Sequence, residues 1–548
     1  MTVFGSLAII LGMAAVGGVL ARLLKLPSVI GYIVAGMALS AVVKIPIIEL
    51  MGQLGVTLLL FLVGLELPIA TLKKIGSTAM VVGIGQIAIT FVLGTLIATA
   101  LGFAVTPAMY IGIALTFGST VIVVNLLSAK RDLQSLYGRI AIGVLLVQDF
   151  VAIGILVVLS GLGQSGFMVG NLFWVIIKSV VLVGLTIWLS EKILPRLFDF
   201  VGKTTEVIFV VALAWCLVIA ASISHPAVGF TVEIGGFLAG LALANAASNL
   251  QIISRVRPLR DFFMTWFFVA LGANIALSDI GSIIWPGTIL SAFVLIGKPL
   301  IVMFILGVMG YKKRVAFLAA VTVAQVSEFS LVILTLALRI GHIDAKVLSL
   351  VGFVAIVTMS VSTYLISNAQ AIYRKIGKYL WIFERKAKLT DLGTKKEWKN
   401  HVVLFGHNRT GTILRPVLQK LGHEVLVVDF DPQIVESLGP QAIYGDVADY
   451  DLYDEIGLSS AVAVISTVSD MGDNLQLLEF LKKLKNKPLS IVTADDAREG
   501  EILYKRGADY VLVPHTVGGE YLAGILEHHG LSADYFRSPK MRRIFSMS

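Results

Sequence analysis

Long apolar runs recur through the first 376 residues of this 548-residue chain, each bounded by charged residues, Gly or Pro. About 20 apolar residues cross a bilayer as one helix, in which the backbone satisfies its own hydrogen bonds. Hydrophobic residues make up 57% of the chain and charged residues 14%, well outside the range of soluble globular proteins. The sequence therefore predicts an all-α polytopic membrane domain over residues 1–376. We place about thirteen spans, centred near residues 13, 34, 56, 88, 117, 150, 182, 213, 236, 267, 296, 327 and 359.

The predicted loops fall into two alternating sets that differ in basic residues. One set is rich in Lys and Arg, beginning with Arg22 and Lys25, whereas the other holds only Lys44, Arg339 and Lys346. By the positive-inside rule, the N-terminus lies outside, and the chain leaves the last span on the cytoplasmic side of the inner (plasma) membrane.

The net charge of +9 belongs to the membrane part and its loops. From His401 onward the chain has 14 Lys+Arg against 20 Asp+Glu, so its basic character does not indicate a nucleic-acid partner. The one cysteine, Cys216, falls in an apolar span and predicts neither a disulfide framework nor a metal cluster.

A carboxylate, Asp149, lies near the centre of the apolar stretch 140–163, within the segment LLVQDFVAIGILVV. An ionisable group at that depth is costly and is kept chiefly where function requires it. Structural pairing is the alternative for a membrane carboxylate. Because Asp149 follows Gln148 rather than a basic residue, the sequence favours a site that binds a proton or a monovalent cation.

Two predicted spans carry polar residues at mid-membrane depth. The fifth reads IALTFGSTVIVVNLL and includes Ser119 and Thr120; the twelfth reads AAVTVAQVSEFSLVIL and includes Glu328. Ser and Thr that bond their own helix backbone would explain either segment alone. Their pairing in two halves of the chain favours an inverted-repeat transporter with two broken helices.

For the other charged residues within spans, the sequence favours neither a structural role nor a role in transport as clearly as it does for Asp149. Glu328 suits either the positive end of a half-helix or a role in transport. Lys298 lies mid-span, where a buried ammonium needs a partner, and Asp149 is the candidate. Glu66 and Glu233 lie near span ends, where interfacial carboxylates are common, and are weaker candidates for the ion path.

A polar, basic linker over residues 377–400 precedes a second domain, residues 401–548, whose pattern alternates strand and helix. The turn from Gly406 to Gly411 follows a strand and opens a helix, and Asp429 ends the next strand. These features predict an α/β Rossmann-like domain that binds a nucleotide through backbone amides and a ribose-binding acid. A purely structural Rossmann module is the alternative.

One residue of that turn departs from the dinucleotide pattern. Asn408 stands where the pattern has its middle glycine, and we expect the turn to survive because Asn tolerates positive φ. A mononucleotide such as AMP is then at least as plausible a ligand as NAD(H). The candidate nucleotide-binding residues are Gly406, Asn408, Arg409, Gly411, Asp429 and Asp446.

Taken together, these motifs resemble the monovalent cation:proton antiporter-2 family, in particular its Kef-type members with a C-terminal nucleotide-binding domain (RCK N-terminal, or TrkA-N, type). The resemblance rests on FLVGLEL (61–67), TFGSTVIV (116–123), the Gln148–Asp149 pair, GGFLAGLAL (235–243), FFVALG (267–272), Lys298, QVSEFSLV (325–332), VLFGHNRTG, VVDFDP and YGDVADYDL.

The resemblance implies that Asp149 carries the ion or proton, that the fifth and twelfth helices cross beside it, and that Lys298 lies near it. It also implies thirteen helices, an outward N-terminus and a homodimer. The Gln148–Asp149 pair is associated with potassium-selective members, and Asp-Asp with sodium carriers. Where glutathione-gated members have acidic residues before the tenth helix, this chain has Ser254-Arg255-Val256-Arg257, which argues against glutathione gating.

The predicted function is a K⁺ or Na⁺:H⁺ antiporter, not an enzyme, regulated by AMP or NAD(H). Gln148, Ser119, Thr120, Lys298 and Glu328 would surround Asp149 as the cation or proton site. A ligand-gated potassium channel is the alternative, although a filter such as TVGYG does not occur in the sequence. A membrane-anchored oxidoreductase is less favoured, because no candidate catalytic group accompanies the nucleotide motif.

Overall fold

The computed structural model describes residues 3–39, 46–66, 76–130, 132–133, 135–162, 177–178, 181–182, 184, 186, 188, 205–225, 228–244, 246, 249–273, 280–383, 398–429, 431–445, 447 and 450–537. Two compact units are present. One comprises Met1–Leu306 and Lys313–Phe383, and the other comprises Gly307–Lys312 and Glu384–Ser548.

Six helices of the first unit pack on one another as a first bundle. Glycines at their crossings let the backbones approach closely, because a Cβ added at Gly240 would lie 2.0 Å from the Phe61 carbonyl oxygen. The helices are α1 (Val3–Leu23), α2 (Ser28–Leu39), α3 (Pro46–Leu65), α8 (Thr205–Ile223), α9 (Val232–Leu243) and α10 (Asn249–Ala273).

A second bundle contains the polar segments singled out in the sequence. Its helices are α4 (Ser77–Ala100), α5 (Val105–Thr116), α6 (Thr120–Ala129), α7 (Leu136–Leu162), α11 (Ile280–Ala292), α12 (Lys298–Val308), α13 (Lys313–Thr322), α14 (Glu328–Arg339) and α15 (Ala345–Ser367). The short helix α16 (Ala369–Ile376) and a 3₁₀ segment, Gly377–Phe383, follow.

A π-helical segment, Phe293–Gly297, joins α11 to α12 in one continuous helix. Pro299 follows two residues after its end and has no backbone N–H to bond to the fourth preceding carbonyl. A local widening of the helix is a common response to such a gap. The segment places Lys298 at the start of α12, buried within the bundle.

The predicted spans agree with the described helices. Six helices are long and apolar enough to cross a membrane, and four shorter apolar helices accompany them among the described residues. Every predicted centre falls on a described helix or break except the one near residue 182, where only scattered residues are described. The helical membrane fold is confirmed, and the count of thirteen stays a prediction.

The second unit contains a six-stranded, fully parallel sheet in the order β3-β2-β1-β4-β5-β6. This order is that of a doubly wound Rossmann fold, as predicted. Its strands are β1 (Val402–Phe405), β2 (Val425–Asp429), β3 (Ala442–Tyr444), β4 (Ala463–Ser466), β5 (Leu489–Thr493) and β6 (Tyr510–Leu512). The helices are α17 (Arg409–Lys420), α18 (Pro432–Leu438), α19 (Tyr450–Glu455), α20 (Met471–Leu481), α21 (Ala497–Lys505), α22 (Pro514–His529) and α23 (Ala533–Arg537), with 3₁₀ turns at Gly439–Gln441 and Leu458–Ser460.

Candidate functional site

The fifth predicted span is broken at the position the sequence indicated. Helix α5 ends at Thr116, and Phe117 and Ser119 adopt extended backbone conformations before α6 begins at Thr120. The Ser119 hydroxyl caps α6 by accepting a hydrogen bond from the Ile122 N–H at 3.4 Å. The break leaves carbonyl and N–H groups without helical partners inside the bundle.

The twelfth span has a matching break between α13 and α14. Helix α13 ends at Thr322, and Ser327 caps α14 by accepting a hydrogen bond from the Phe329 N–H at 3.1 Å. Glu328 is the first residue of α14, where its charge complements the positive end of the helix dipole.

The two breaks lie against each other. The Gln325 Nε2 donates to the Ser119 carbonyl oxygen at 3.2 Å, and the Ser330 hydroxyl donates to the Ala114 carbonyl oxygen at 2.6 Å. All four residues are buried. Side chains of one broken helix thus satisfy backbone groups of the other, which fixes the crossing.

Two glutamines hold the break between α5 and α6. The Gln148 Oε1 accepts a hydrogen bond from the Gly118 N–H at 2.8 Å, and its Nε2 donates to Gln86 Oε1. The Gln86 Nε2 in turn donates to the Thr116 carbonyl oxygen at 3.1 Å. Both glutamines are completely buried. The Gln148 amide therefore positions the unwound backbone next to Asp149.

Asp149 lies on α7, next to Thr120 at the start of α6 and beside the crossing. Its Oδ2 accepts a hydrogen bond from the Thr120 hydroxyl at 2.8 Å. Glu328 begins α14 at the second break of the same crossing. The structure thus brings Thr120 into contact with Asp149 and places Glu328 at the neighbouring break, whereas the Ser119 hydroxyl is occupied in capping α6.

The expected ion pair between Lys298 and Asp149 is not formed among the described residues. The Lys298 ammonium instead donates to the Gln325 carbonyl oxygen at 3.0 Å. The physical reason is the break itself, because the end of α13 presents unpaired carbonyls and the negative end of a helix dipole. Sequence reasoning weighed only carboxylates as partners for the buried ammonium.

Sequence reasoning also missed two buried glutamines and the hydroxyls behind the breaks. Gln325 bonds Ser119 and Lys298, and its Oε1 accepts from the Ser362 hydroxyl at 2.9 Å. The Thr358 hydroxyl accepts from the Val326 N–H at 3.3 Å. The available signal was a mid-span Gln in the fourth and twelfth spans, at Gln86 and Gln325.

The turn from Gly406 to Gly411 in the second unit, which was predicted to bind a nucleotide, has a backbone geometry that requires its two glycines. Gly406, directly after β1, has φ +85°, which favours glycine. A Cβ at Gly411 would lie 2.0 Å from the Gly406 carbonyl oxygen, so only glycine lets α17 pack this closely on the turn. We expected Asn408 to fit the turn because Asn tolerates positive φ. That reasoning is wrong, because Asn408 has φ −100°.

The carboxylate of Asp429 lies at the carboxyl end of β2, next to this turn. Its Oδ2 accepts from the His407 N–H at 2.7 Å and its Oδ1 from the Asp431 N–H at 2.8 Å. Burial, together with the nearby Arg415 guanidinium, lowers the pKa of His407, so its imidazole stays neutral beside the turn.

The other candidate nucleotide-binding residues are Arg409 and Asp446. Arg409 begins α17 and is exposed, while Asp446 lies outside the described residues. The turn lies between β1 and β4, where the sheet order reverses, which is the crevice in which open α/β sheets bind ligands. The Thr467 hydroxyl closes one side of it by donating to the Phe405 carbonyl oxygen at 3.0 Å.

Comparison with known proteins places the two units in known families. Residues 9–368 match the sodium/hydrogen exchanger transmembrane family, and residues 402–514 match the TrkA-N domain. The chain therefore belongs to the sodium/hydrogen exchanger family and carries a C-terminal TrkA-N domain. It is a cation/proton antiporter of the Kef type.

Three relatives show how far the similarity extends. The KefB-type relative from Alkalimonas amylolytica is 26% identical over 509 residues, which are 90% of this chain and 76% of the relative. The glutathione-regulated potassium-efflux system protein KefC of Cronobacter sakazakii is 28% identical over 498 residues, covering 86% of this chain and 77% of KefC. The K(+) efflux antiporter 5 of Arabidopsis thaliana is 29% identical over 367 residues, 64% of each chain.

Proposed function

We propose that this protein exchanges potassium for protons by alternating access, and that Asp149 carries each ion in turn. The observation that supports this most directly is the position of Asp149 beside the crossing of two broken helices, with its carboxylate bonded to Thr120. A carboxylate that binds either a proton or a cation couples the two fluxes, because the two ligands compete for the same oxygens.

Oxygen ligands for a potassium ion are available next to Asp149. The Thr120 hydroxyl is already within hydrogen-bonding distance of the carboxylate. Carbonyl oxygens freed by the break, together with hydroxyls, can replace the water that a cation loses on binding. In this proposal Gln148 and Lys298 position the breaks, and Glu328 adds negative charge near the site.

Potassium is favoured over sodium on two grounds. The Gln148–Asp149 pair is the pattern that the family resemblance associates with potassium, and all three relatives above are named for potassium efflux. Sodium exchange is the alternative for the same site. The proposed orientation has the N-terminus outside and the TrkA-N domain in the cytoplasm, as the basic loops predict. A homodimer is our expectation from the family resemblance.

The decisive experiment is cation-dependent proton movement in proteoliposomes, measured separately with potassium, sodium and lithium. Wild-type protein should acidify or alkalinise the lumen when potassium is added. Asp149→Asn should abolish the exchange and leave the protein folded, because the amide removes the charge without opening a cavity. Proton-coupled flux that persists in the Asn variant would exclude Asp149 as the carrier.

We also propose that an adenine nucleotide bound by the TrkA-N domain regulates transport. The support is the turn from Gly406 to Gly411 with Asp429 beside it, at the crevice of the sheet. A bound nucleotide changes transport only if it prefers one conformation of the protein over another. AMP and NAD(H) are the two candidates, and binding rather than chemistry is the proposed role.

A further inference from the structure

A cavity of about 250 Å³ lies inside the membrane unit, at the end that the proposed orientation places outside. Helices of both bundles form its wall. Residues that matter for its chemistry are Gln53, Leu156, Thr231, Glu233, Thr335 and Arg339.

An ion pair in the cavity wall connects the two bundles. The Arg339 Nη1 donates to the Glu233 Oε1 at 3.0 Å, from the end of α14 to the start of α9. Glu233 is 7% exposed and Arg339 remains partly exposed. The carboxylate is therefore the buried member of the pair.

The cavity wall also holds polar atoms whose hydrogen-bonding capacity is unused. Among the described residues, the Glu233 Oε2 and the Thr231 Oγ1 are buried without a hydrogen-bond partner. A buried carboxylate oxygen without a hydrogen bond is costly, so the Glu233 Oε2 is a candidate ligand for a cation. A carboxylate and a hydroxyl oxygen together suit a hard monovalent cation.

The cavity is aligned with the proposed transport site. Leu156, in the cavity wall, follows Asp149 by seven residues on α7. Seven residues are about two helical turns, so both lie on the same face of α7, about 10 Å apart. On α14, Glu328, Thr335 and Arg339 likewise share one face, which runs from the break to the cavity. Two adjacent helix faces thus lead from Glu233 towards Asp149.

We propose that this cavity is the vestibule through which the potassium ion reaches Asp149 from one side of the membrane, and that Glu233 receives it there. This inference rests on the proposed potassium:proton exchange. Arg339 is paired with the Glu233 carboxylate while the two bundles are closed at this end. An incoming cation competes with the guanidinium for Glu233, so the ion pair opens as the cation binds.

The alternative is a structural clamp, in which the Glu233–Arg339 ion pair only holds the two bundles together and binds no cation. The sign of the change in KM distinguishes the two. Glu233→Gln should raise the KM for potassium about tenfold, the effect expected for the loss of one charged ligand, with kcat nearly unchanged. Arg339→Gln should lower the KM, because the competitor is gone. A clamp would instead move both variants in the same direction. Potassium-dependent proton movement in proteoliposomes measures both constants.

A second ion pair provides matched controls. Arg257 lies on α10 and Glu66 at the end of α3, and both are exposed residues of the first bundle. The Arg257 Nη2 lies 2.8 Å from the Glu66 Oε1. Glu66→Gln and Arg257→Gln should leave the KM unaltered. Should Glu233→Gln fold poorly in a thermal unfolding assay, Glu233→Asp supplies the test, since it keeps the charge and should hold the KM within about threefold of wild type.

The outcomes are separable. Opposite shifts in KM for the Glu233 and Arg339 variants support the vestibule. Shifts of the same sign, or none in either variant, overturn it while wild-type exchange and the loss in Asp149→Asn still stand. A wild-type protein without potassium-dependent proton movement would instead remove the proposed function, and this inference with it.

Discussion

Lys298 shows how a buried charge can serve the backbone rather than another charge. It is completely buried, and its ammonium donates to the carbonyl oxygen of Gln325 at the end of the α13 break. Hydrogen bonds to charged donors are stronger than neutral ones, and a carbonyl at a helix C-terminus carries partial negative charge. Lys298 therefore stabilises the unwound segment that meets Ser119.

Removing this donor should destabilise the protein. Lys298→Met fills a similar volume but leaves the Gln325 carbonyl without its donor, so we expect a loss of about 1–3 kcal/mol in the free energy of unfolding. Thermal unfolding in detergent measures it, with the exposed Lys346→Met as the matched control. An unaltered midpoint for Lys298→Met would mean that the carbonyl finds another partner.

Residue types at unusual depth were predictable from the sequence, but the partner of Lys298 was not. Asp149, Glu328 and Lys298 stand out in the sequence because charge is rare within apolar spans. Which groups they contact depends on the backbone of the breaks, and periodicity does not report where a carbonyl points. Gln86 and Gln325 were missed because an uncharged amide in an apolar span gives only a weak signal.

At the scale of elements, the two broken helices depend on side chains from their neighbours. The α5–α6 break is held by Gln148 of α7 and Gln86 of α4, and it meets the α13–α14 break through Gln325. Polar segments in two spans predicted both breaks, since a continuous membrane helix would have apolar residues there. Strand β3, by contrast, has only three residues and was not predicted.

Gln86 tests whether the break matters for transport without touching the proposed ion. Gln86→Leu leaves the Thr116 carbonyl and the Gln148 amide without partners, and we expect a loss of about 1–3 kcal/mol in stability. Exchange in proteoliposomes should fall as well, because Gln148 and the backbone beside Asp149 lose their fixed position.

Thr99→Val on the same helix is the control, since that hydroxyl bonds only to carbonyls of α4. Its stability and exchange should both match wild type. Wild-type exchange in Gln86→Leu would show that the glutamine chain is dispensable for transport.

At the scale of the whole molecule, the chain combines a membrane antiporter with a C-terminal TrkA-N domain of Rossmann-like fold. Composition separated the two parts before any motif was considered, because residues from 401 onward are acidic and alternate between strand and helix. The strand-helix-strand pattern predicted the Rossmann-like fold, and the structure adds the strand order of its sheet. The span centred near residue 182 lies mostly outside the described residues, so the full number of crossings remains a prediction.

The coupling between the two parts is tested through Asp429. Its carboxylate is the proposed acceptor for a ribose hydroxyl, and it already holds the His407 and Asp431 amides. Asp429→Asn should weaken nucleotide binding by about tenfold or more, because the amide retains one acceptor oxygen and loses the charge. Calorimetry on the full-length protein with AMP, ATP, NAD and NADH measures the affinity, with the exposed Asp454→Asn on α19 as the control.

The transport arm of the same experiment shows whether binding regulates flux. Nucleotide should change the potassium-dependent exchange of wild type and of Asp454→Asn, and should change that of Asp429→Asn only at higher concentration. The order of preference among potassium, sodium and lithium should stay the same in all three, because Asp149 and its ligands are unaltered. If none of the four nucleotides binds the wild-type protein, regulation by an adenine nucleotide is ruled out, and the TrkA-N domain serves as a structural or docking module.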